Sequence, residues 1–461
     1  MNATNLKIRL IIMNFLQFGV WGAYLTCLGT YLVNAGLGSN IGIFFAMQGI
    51  VSLFMPAVMG IVADRWIPAQ KVLSLCHGIA AVAMGAAGAY GLTAEVVEFG
   101  PLFALYSVSV AFFMPTIALT NSVAYTALGK AGLDTVKHFP PIRVFGTIGF
   151  IVAMVLSSLF GFEKNAWQLV FSAGIGIVLC AYSLTLPNCP VAKTSGKVSL
   201  VQSLGLDAFK LFKEKKMAIF FIFSMLLGFS LQITNGFANP FISSFGDMPE
   251  YAGTFGVKYT NILISISQAS EALCILLIPF CLRKLGIKKV MLIAMMAWVF
   301  RFGFFGLGNP GGGVWLFILS MIVYGVAFDF FNVSGSLYVD QETKPEIRSS
   351  AQGLFMMMTN GFGASIGTLV AQAVNNNFVQ RIPPQLTNII NNICTDGSMT
   401  RLEIMNKMAA EYPAEFQQYQ EILTTNAEGW SQFWYIFAAY ALVVAVLFAI
   451  LFRYKHQPAK N

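Results

Sequence analysis

Twelve stretches of this chain run eighteen residues or more with few or no charged side chains, and no other property restricts its fold as strongly. They span residues 10–33, 41–63, 71–93, 100–125, 142–162, 167–187, 217–240, 260–282, 289–308, 313–338, 351–374 and 432–452. An apolar helix of about 20 residues matches the roughly 30 Å of bilayer hydrocarbon. No water is available there to satisfy the backbone, so only helices and closed barrels can cross it. Unbroken apolar runs of this length are helical, since barrel strands are shorter and alternate. Charged residues make up 10% of the 461 positions, against about 25% in soluble domains. A soluble fold is excluded. The expected fold is all-α and integral to the membrane, with twelve transmembrane helices in two six-helix halves. The first segment has no small-residue cleavage site and reads as a retained anchor.

The halves are expected at 1–187 and 217–461, joined by a polar linker, 188–216, that contains six lysines. Within the linker, Leu200, Leu204, Phe209 and Phe212 would line one side of a helix lying on the membrane. With the N-terminus inside, inner loops and termini hold 21 of the 28 Lys and Arg residues. The outer loops hold only Lys164, Lys258, Arg381, Arg401 and Lys407. This asymmetry predicts that both termini and Cys189 are cytoplasmic and that Cys394 is external. The net charge of +8 therefore follows topology, and without a basic soluble domain nucleic acid is not an expected partner. The long external stretch, 375–431, carries Pro383-Pro384 and a short amphipathic pattern at Leu402, Ile404, Met405 and Met408. It is either a lid or a surface decoration, and the second is favoured.

Seven cysteines without a CxxC pair, three scattered histidines and no HExxH motif give no metal site and no cofactor. His77 has no evident partner, so an embedded enzyme is not expected.

Charged residues inside the spans are few. Glu271 and Asp329 are the embedded acids, Arg143 and Arg301 the embedded bases. Each costs about 2.5 to 3.5 kcal/mol near the bilayer centre on insertion scales, so each needs a partner or a function. Buried ion pairs are one reading, above all Arg301 with Asp329, one segment further on. A snorkelling Arg143 is another. The amides favour a ligand site. Gln232 and Asn235 share a helix face, as do Gln268 and Glu271. Tyr324, Phe328 and Phe331 form a stripe that serves as packing or as a stacking platform. Amides suit a neutral ligand with mixed hydrogen-bonding edges, and rings suit a base. A sugar joined to a base would use both.

The plan of two six-helix groups around a basic loop resembles the major facilitator superfamily, as does Gly60-Ile-Val-Ala-Asp64-Arg65, although Trp66-Ile67-Pro68 follows where another glycine is usual. More specific blocks, in order, are Phe139-Pro-Pro-Ile-Arg143 with Gly146-Thr147-Ile-Gly-Phe150, Gln232-Ile-Thr-Asn235, Ser267-Gln268-Ala-Ser270-Glu271, Phe328-Asp-Phe-Phe-Asn332 and Met358-Thr-Asn360-Gly-Phe-Gly363. Together they strongly resemble the bacterial nucleoside permeases of the nucleoside:proton symporter family, from about residue 6 to 375 and again in the last segment. The resemblance implies an importer in the bacterial inner membrane, and a monomer is the expected state. Its cargo would be purine and pyrimidine nucleosides such as uridine and adenosine, driven by protons. It implies substrate contacts from Arg143, Thr147, Phe150, Gln232, Asn235, Gln268, Glu271, Tyr324, Phe328, Asp329 and Asn360. A sugar:proton symporter of the same superfamily is the alternative, and it would favour indole platforms in the cavity. The stretch 375–431 departs from the familiar members, in which it is short. Nucleosides being neutral, the proton must ride on an embedded acid. Glu271 is expected to carry it, with Asp329 held ionised by Arg301.

Overall fold

The computed structural model describes residues 3–189, 191, 206–344, 347–393, 399 and 401–454. It is helical throughout, with no strand among the described residues. The helices before the linker are α1 (Ala3–Gly22), α2 (Leu28–Asn34), α3 (Ile41–Ser52), α4 (Met55–Arg65), α5 (Ala69–Thr93), α6 (Phe99–Lys130), α7 (Thr135–Leu159) and α8 (Trp167–Ser183). After it come α9 (Lys215–Ser244), α10 (Thr260–Leu285), α11 (Ile287–Leu307), α12 (Val314–Glu342), α13 (Arg348–Met356), a π-helical turn (Met357–Gly363), α14 (Ala364–Phe378), α15 (Pro384–Ile393), α16 (Arg401–Glu411) and α17 (Pro413–Leu451).

Every predicted span is occupied by helix, and ten helical stretches are long and apolar enough to cross a bilayer among the described residues. Three spans differ from the unbroken runs expected. The first is split at 23–27, where Tyr24 and Cys27 turn to bonds three residues back. The second breaks at Leu53-Phe54: Pro56, in the first turn of α4, has no N–H to continue the ladder. The eleventh widens into the π turn around Asn360. There Gly363 lies so close to α9 that a Cβ would meet Gly228 Cα at 2.9 Å. The sixth span, Trp167–Ser183, is a shorter apolar helix.

The early helices pack as one bundle through α1 on α7 and α5 on α6 and α8, the late ones as a second through α11 on α12 and α17, α10 on α12, and α9 on α14. The two meet where α3 crosses α14 and α7 crosses α10. Glycines allow the backbones this close: a Cβ on Gly42 of α3 would lie 2.6 Å from Gln372 Cβ.

One end of the molecule holds the linker turn Leu206–Lys213, where the Phe212 and Phe221 rings meet at 5.5 Å, tilted by 35°. Leu200 and Leu204 lie outside the described residues. The start of α1 is here, with Arg9 bonded to Thr185 O, and so is the end of α17, with Tyr454 bonded to Gln341. We call this the linker end. Cys189 is here too, buried rather than exposed, while Cys394 lies outside the described residues. The opposite end carries a cap. Leu386, Ile404, Met405, Met408, Tyr419 and Ile422 of α15, α16 and the start of α17 bury a small apolar cluster of their own. The described residues of the stretch 375–431 thus share an apolar cluster with the start of the last helix.

Candidate functional site

The middle of the second bundle presents a ladder of rings and amides. Tyr324 and Phe328 of α12, one turn apart, lie parallel with centroids 5.8 Å apart and planes 1° from coplanar. Trp298 meets Tyr324 edge-on at 6.0 Å. The Gln268 amide is hydrogen-bonded with the Tyr324 hydroxyl. On α9, Asn235 Nδ2 donates to Gln232 Oε1 at 2.6 Å, so the two amides share one face as their spacing requires. Asn360 projects from the π turn and shares a small bay of about 20 Å³ with Phe328, Asn332, Leu231 and Trp298. Such turns recur at functional sites because they re-aim a side chain without ending the helix.

The first bundle supplies the facing wall. Arg143 of α7 lies with its guanidinium carbon 3.8 Å over the Phe18 ring of α1. Thr147 is half-buried one turn further on, and Phe150 is buried edge-on against Trp21 at 6.3 Å.

The charges fall otherwise than expected. Arg143 interacts electrostatically with Glu271 and, beyond it, with Asp329, and the two acids act on each other. Arg301 has no carboxylate partner among the described residues. Its Nη1 donates to Ser320 O at 2.7 Å, and its carbon lies 4.5 Å from the Tyr324 centroid. The expected Arg301–Asp329 pair does not form, because the guanidinium turns into the aromatic cluster. Asp329 is 6% exposed, and its Oδ2 has no hydrogen-bond partner.

Arg143, Gln268, Glu271, Tyr324 and Asp329 therefore converge, Phe328 and Asn360 line the adjoining bay, and the Gln232–Asn235 pair lies on α9, which packs against α10 and the π turn. Sequence reasoning missed Phe18 and Trp298 as backing for these groups, since a ring in an apolar span carries no signal of its own. It also left His77 without a partner. Its Nε2 lies 2.7 Å from Gln17 Oε1, which also accepts from Thr120, while Gln17 Nε2 donates to Thr116. This cluster ties α5, α1 and α6 together within the first bundle.

Between the site and the cap, polar contacts close the seam between bundles. Thr26 donates to Asn261 Oδ1 at 2.9 Å and Thr30 to Asn239 Oδ1 at 2.5 Å. Gly42 N donates to Gln372 Oε1 and Gln372 Nε2 to Gly38 O. Ser365 donates to Ala46 O. Glu163, 6% exposed, accepts from Asn261 N at the start of α10.

The family profile described as "Nucleoside H+ symporter" matches residues 4–390. The xanthosine permease of Escherichia coli K12 is 44% identical over 99% of this chain and 98% of its own length. The nucleoside permease NupG of the same strain is 44% identical over 98% of this chain and 97% of its own. Both alignments run through almost the whole chain, so the stretch 375–431 is not peculiar to it, as had been expected. The crystal structure of NupG superposes with a TM-score of 0.81 at 43% identity, covering 98% of this chain and all of that one. A bacterial homologue of the lysosomal transporter Spinster shares the fold alone, at a TM-score of 0.65 and 15% identity. By profile, sequence and structure alike, the chain belongs to the nucleoside:proton symporter family, on the major facilitator fold.

Proposed function

We propose that this protein imports purine and pyrimidine nucleosides, uridine and adenosine among them, across the bacterial inner membrane together with protons, by alternating access. It is a transporter and not an enzyme. The observation that carries the reading is the convergence of Gln268 and the parallel Tyr324–Phe328 pair on a cluster of one arginine and two carboxylates. Rings stack a base, and amides meet its edge or the ribose hydroxyls. Arg143, Thr147 and Phe150 contribute from one bundle. Gln232, Asn235, Gln268, Glu271, Tyr324, Phe328, Asp329 and Asn360 contribute from the other.

Proton coupling follows from charge. One arginine cancels one of two carboxylates, and the other is left ionised in a poorly hydrated space, where a proton neutralises it. The Glu271–Asp329 pair, whose two acids act on each other, holds that proton between them. The bundles 1–187 and 217–461 rock about the site while the linker 188–216 joins them. With the seam paired toward the cap, the site, with its half-buried Arg143, Glu271 and Phe328, would open toward the linker end. The basic residues concentrated there make that end cytoplasmic, so both termini lie inside. The protein acts as a monomer, since each chain has a complete site.

A sugar symporter is disfavoured by the ring pair: Tyr324 and Phe328 lie parallel, while Trp298 meets Tyr324 edge-on. Counterflow in proteoliposomes tests the function. Preloaded uridine should accelerate entry of labelled uridine, and unlabelled adenosine should compete while glucose and maltose do not. Competition by sugars alone would overturn the reading.

A further inference from the structure

Arg301 is a cation in the membrane interior, 2% exposed, with no carboxylate beside it among the described residues. Leaving such a charge unneutralised is expensive, and helix packing alone would be served as well by methionine. What surrounds it is aromatic. Its guanidinium carbon is 4.5 Å from the Tyr324 ring centroid, 5.3 Å from Phe305 and 6.0 Å from Trp298. Its Nη1 donates to the Ser320 carbonyl at 2.7 Å and more weakly to Ser267 Oγ at 3.4 Å, while Ser320 Oγ donates back to Arg301 O at 2.9 Å. Arg301 on α11 therefore grips α12 one turn before Tyr324 and α10 at the residue before Gln268. Its field acts on Tyr324, which also feels Glu271 and Asp329, and the acids in turn answer to Arg143.

We propose that Arg301 is a positioning residue for nucleoside binding: through cation–π contact and the Ser320 and Ser267 bonds it fixes the Tyr324 ring, and with it the Phe328 ring and the Gln268 amide, in the geometry that receives the base. The two arginines thus divide the work. Arg143 balances the acids and takes part in coupling, while Arg301 holds the platform and does not touch the proton. A cation–π contact shielded from water is among the stronger contacts a ring can make, and a planar guanidinium bonds two helices while lying over a third group, which a lysine cannot do.

The inference rests on Tyr324 and Gln268 belonging to the substrate site, so the experiment separates the two. Uridine affinity is measured by calorimetry on purified parent, Arg301→Met, Arg301→Lys, Tyr324→Leu and the Arg301→Met/Tyr324→Leu double variant, at pH 6 and pH 8, with melting followed alongside. Arg301→Met should weaken binding about tenfold at both pH values, and Arg301→Lys by about threefold. In the Tyr324→Leu background, Arg301→Met should add less than twofold, because the ring it positions is gone. If Tyr324→Leu weakens binding but Arg301→Met and Arg301→Lys leave it unchanged, or if the arginine effect persists without the ring, the positioning role is wrong and the site stands. If Tyr324→Leu itself leaves affinity unchanged, the site has been misplaced. Should Arg301→Met fail to fold, Arg301→Lys carries the cycle with Tyr324→Leu. An affinity loss that appears at only one pH would place Arg301 in coupling and overturn the division between the arginines.

Discussion

The seam near the cap and the cavity at the middle of the protein are built from the same two bundles but on opposite terms. At the seam, threonine, asparagine, glutamine and backbone groups pair across the interface, and glycine lets α3 and α14 touch. Each such bond has a net value of only about 0.5 to 1.5 kcal/mol, because water replaces it when the halves part. In the cavity the groups are charged and incompletely matched: two carboxylates face one arginine, and Asp329 Oδ2 has no partner. The seam pairs are neutral, with Asn261 Nδ2 left unpaired, and are cheap to exchange for water. In the proposed mechanism, proton and cargo complete what the central site lacks.

Four changes would break or sharpen this contrast. The largest effect is expected at the cavity charge. One proton crossing 100 mV contributes about 2.3 kcal/mol, or roughly 50-fold accumulation. Glu271→Gln should abolish uphill uptake of uridine under an imposed gradient in proteoliposomes while exchange partly survives. If the variant accumulates like the parent, Asp329 is the carrier, and Asp329→Asn should then show the loss. Next come the neutral groups of the same cavity. Gln232→Ala, Asn235→Ala and Gln268→Ala each remove a ligand partner, at about 2 kcal/mol or roughly 30-fold in Kd. Calorimetry giving parental affinity for all three would move the site elsewhere.

The seam should respond to bulk rather than charge. Gly42→Val drives a side chain into Gln372 and the Thr368 carbonyl, where even a Cβ would lie at 2.6 and 2.7 Å. Overpacking of this kind costs about 1 to 3 kcal/mol, so the closed state should lose roughly tenfold in population. Spin labels at Lys164 and Lys258 would report the longer distance, and an unchanged distribution would show that the seam yields locally. The smallest effect concerns Glu163, outside the spans. Burial raises its carboxyl above the ordinary range, opposed by hydrogen bonds from Ser158, Asn261 and Asn239 and by the Lys164 charge. An acid whose closed-state pKa is raised binds its proton more tightly when closed. Closure is therefore fully favoured at low pH and weakens as pH rises through the raised value. The same spin-label pair should show an opening shift of about two- to threefold on alkalinisation, absent in Glu163→Gln. Identical pH dependence in both would assign it to another group.

Much of this was legible in the sequence, because a bilayer demands long apolar runs and makes every embedded polar residue conspicuous. The all-helical membrane fold, the embedded acids and the pairing of Gln232 with Asn235 could all be read from spacing. The partner of Arg301 could not. Neighbouring segments offer many candidates, and only the packing decides that a guanidinium will turn to Tyr324 rather than Asp329. The seam was equally hidden, since threonine and asparagine near helix ends look like ordinary caps until Thr30 is seen against Asn239. The breaks at residues 23–27 and 53–54 lie inside runs whose hydropathy is uninterrupted, so hydropathy alone passed over them.

The last helix, 39 residues from Pro413 to Leu451, extends well beyond the segment hydropathy assigns to the membrane. At 1.5 Å per residue, the 19 residues before position 432 form a rod of about 28 Å, and α15 and α16 are fastened to it by their shared apolar cluster. Such a rod is a lever. Each degree by which its bundle tilts displaces the tip by about half an ångström, so the cap magnifies motions too small to notice at the midplane. A dye at its far end would be a gauge of transport read at the cap.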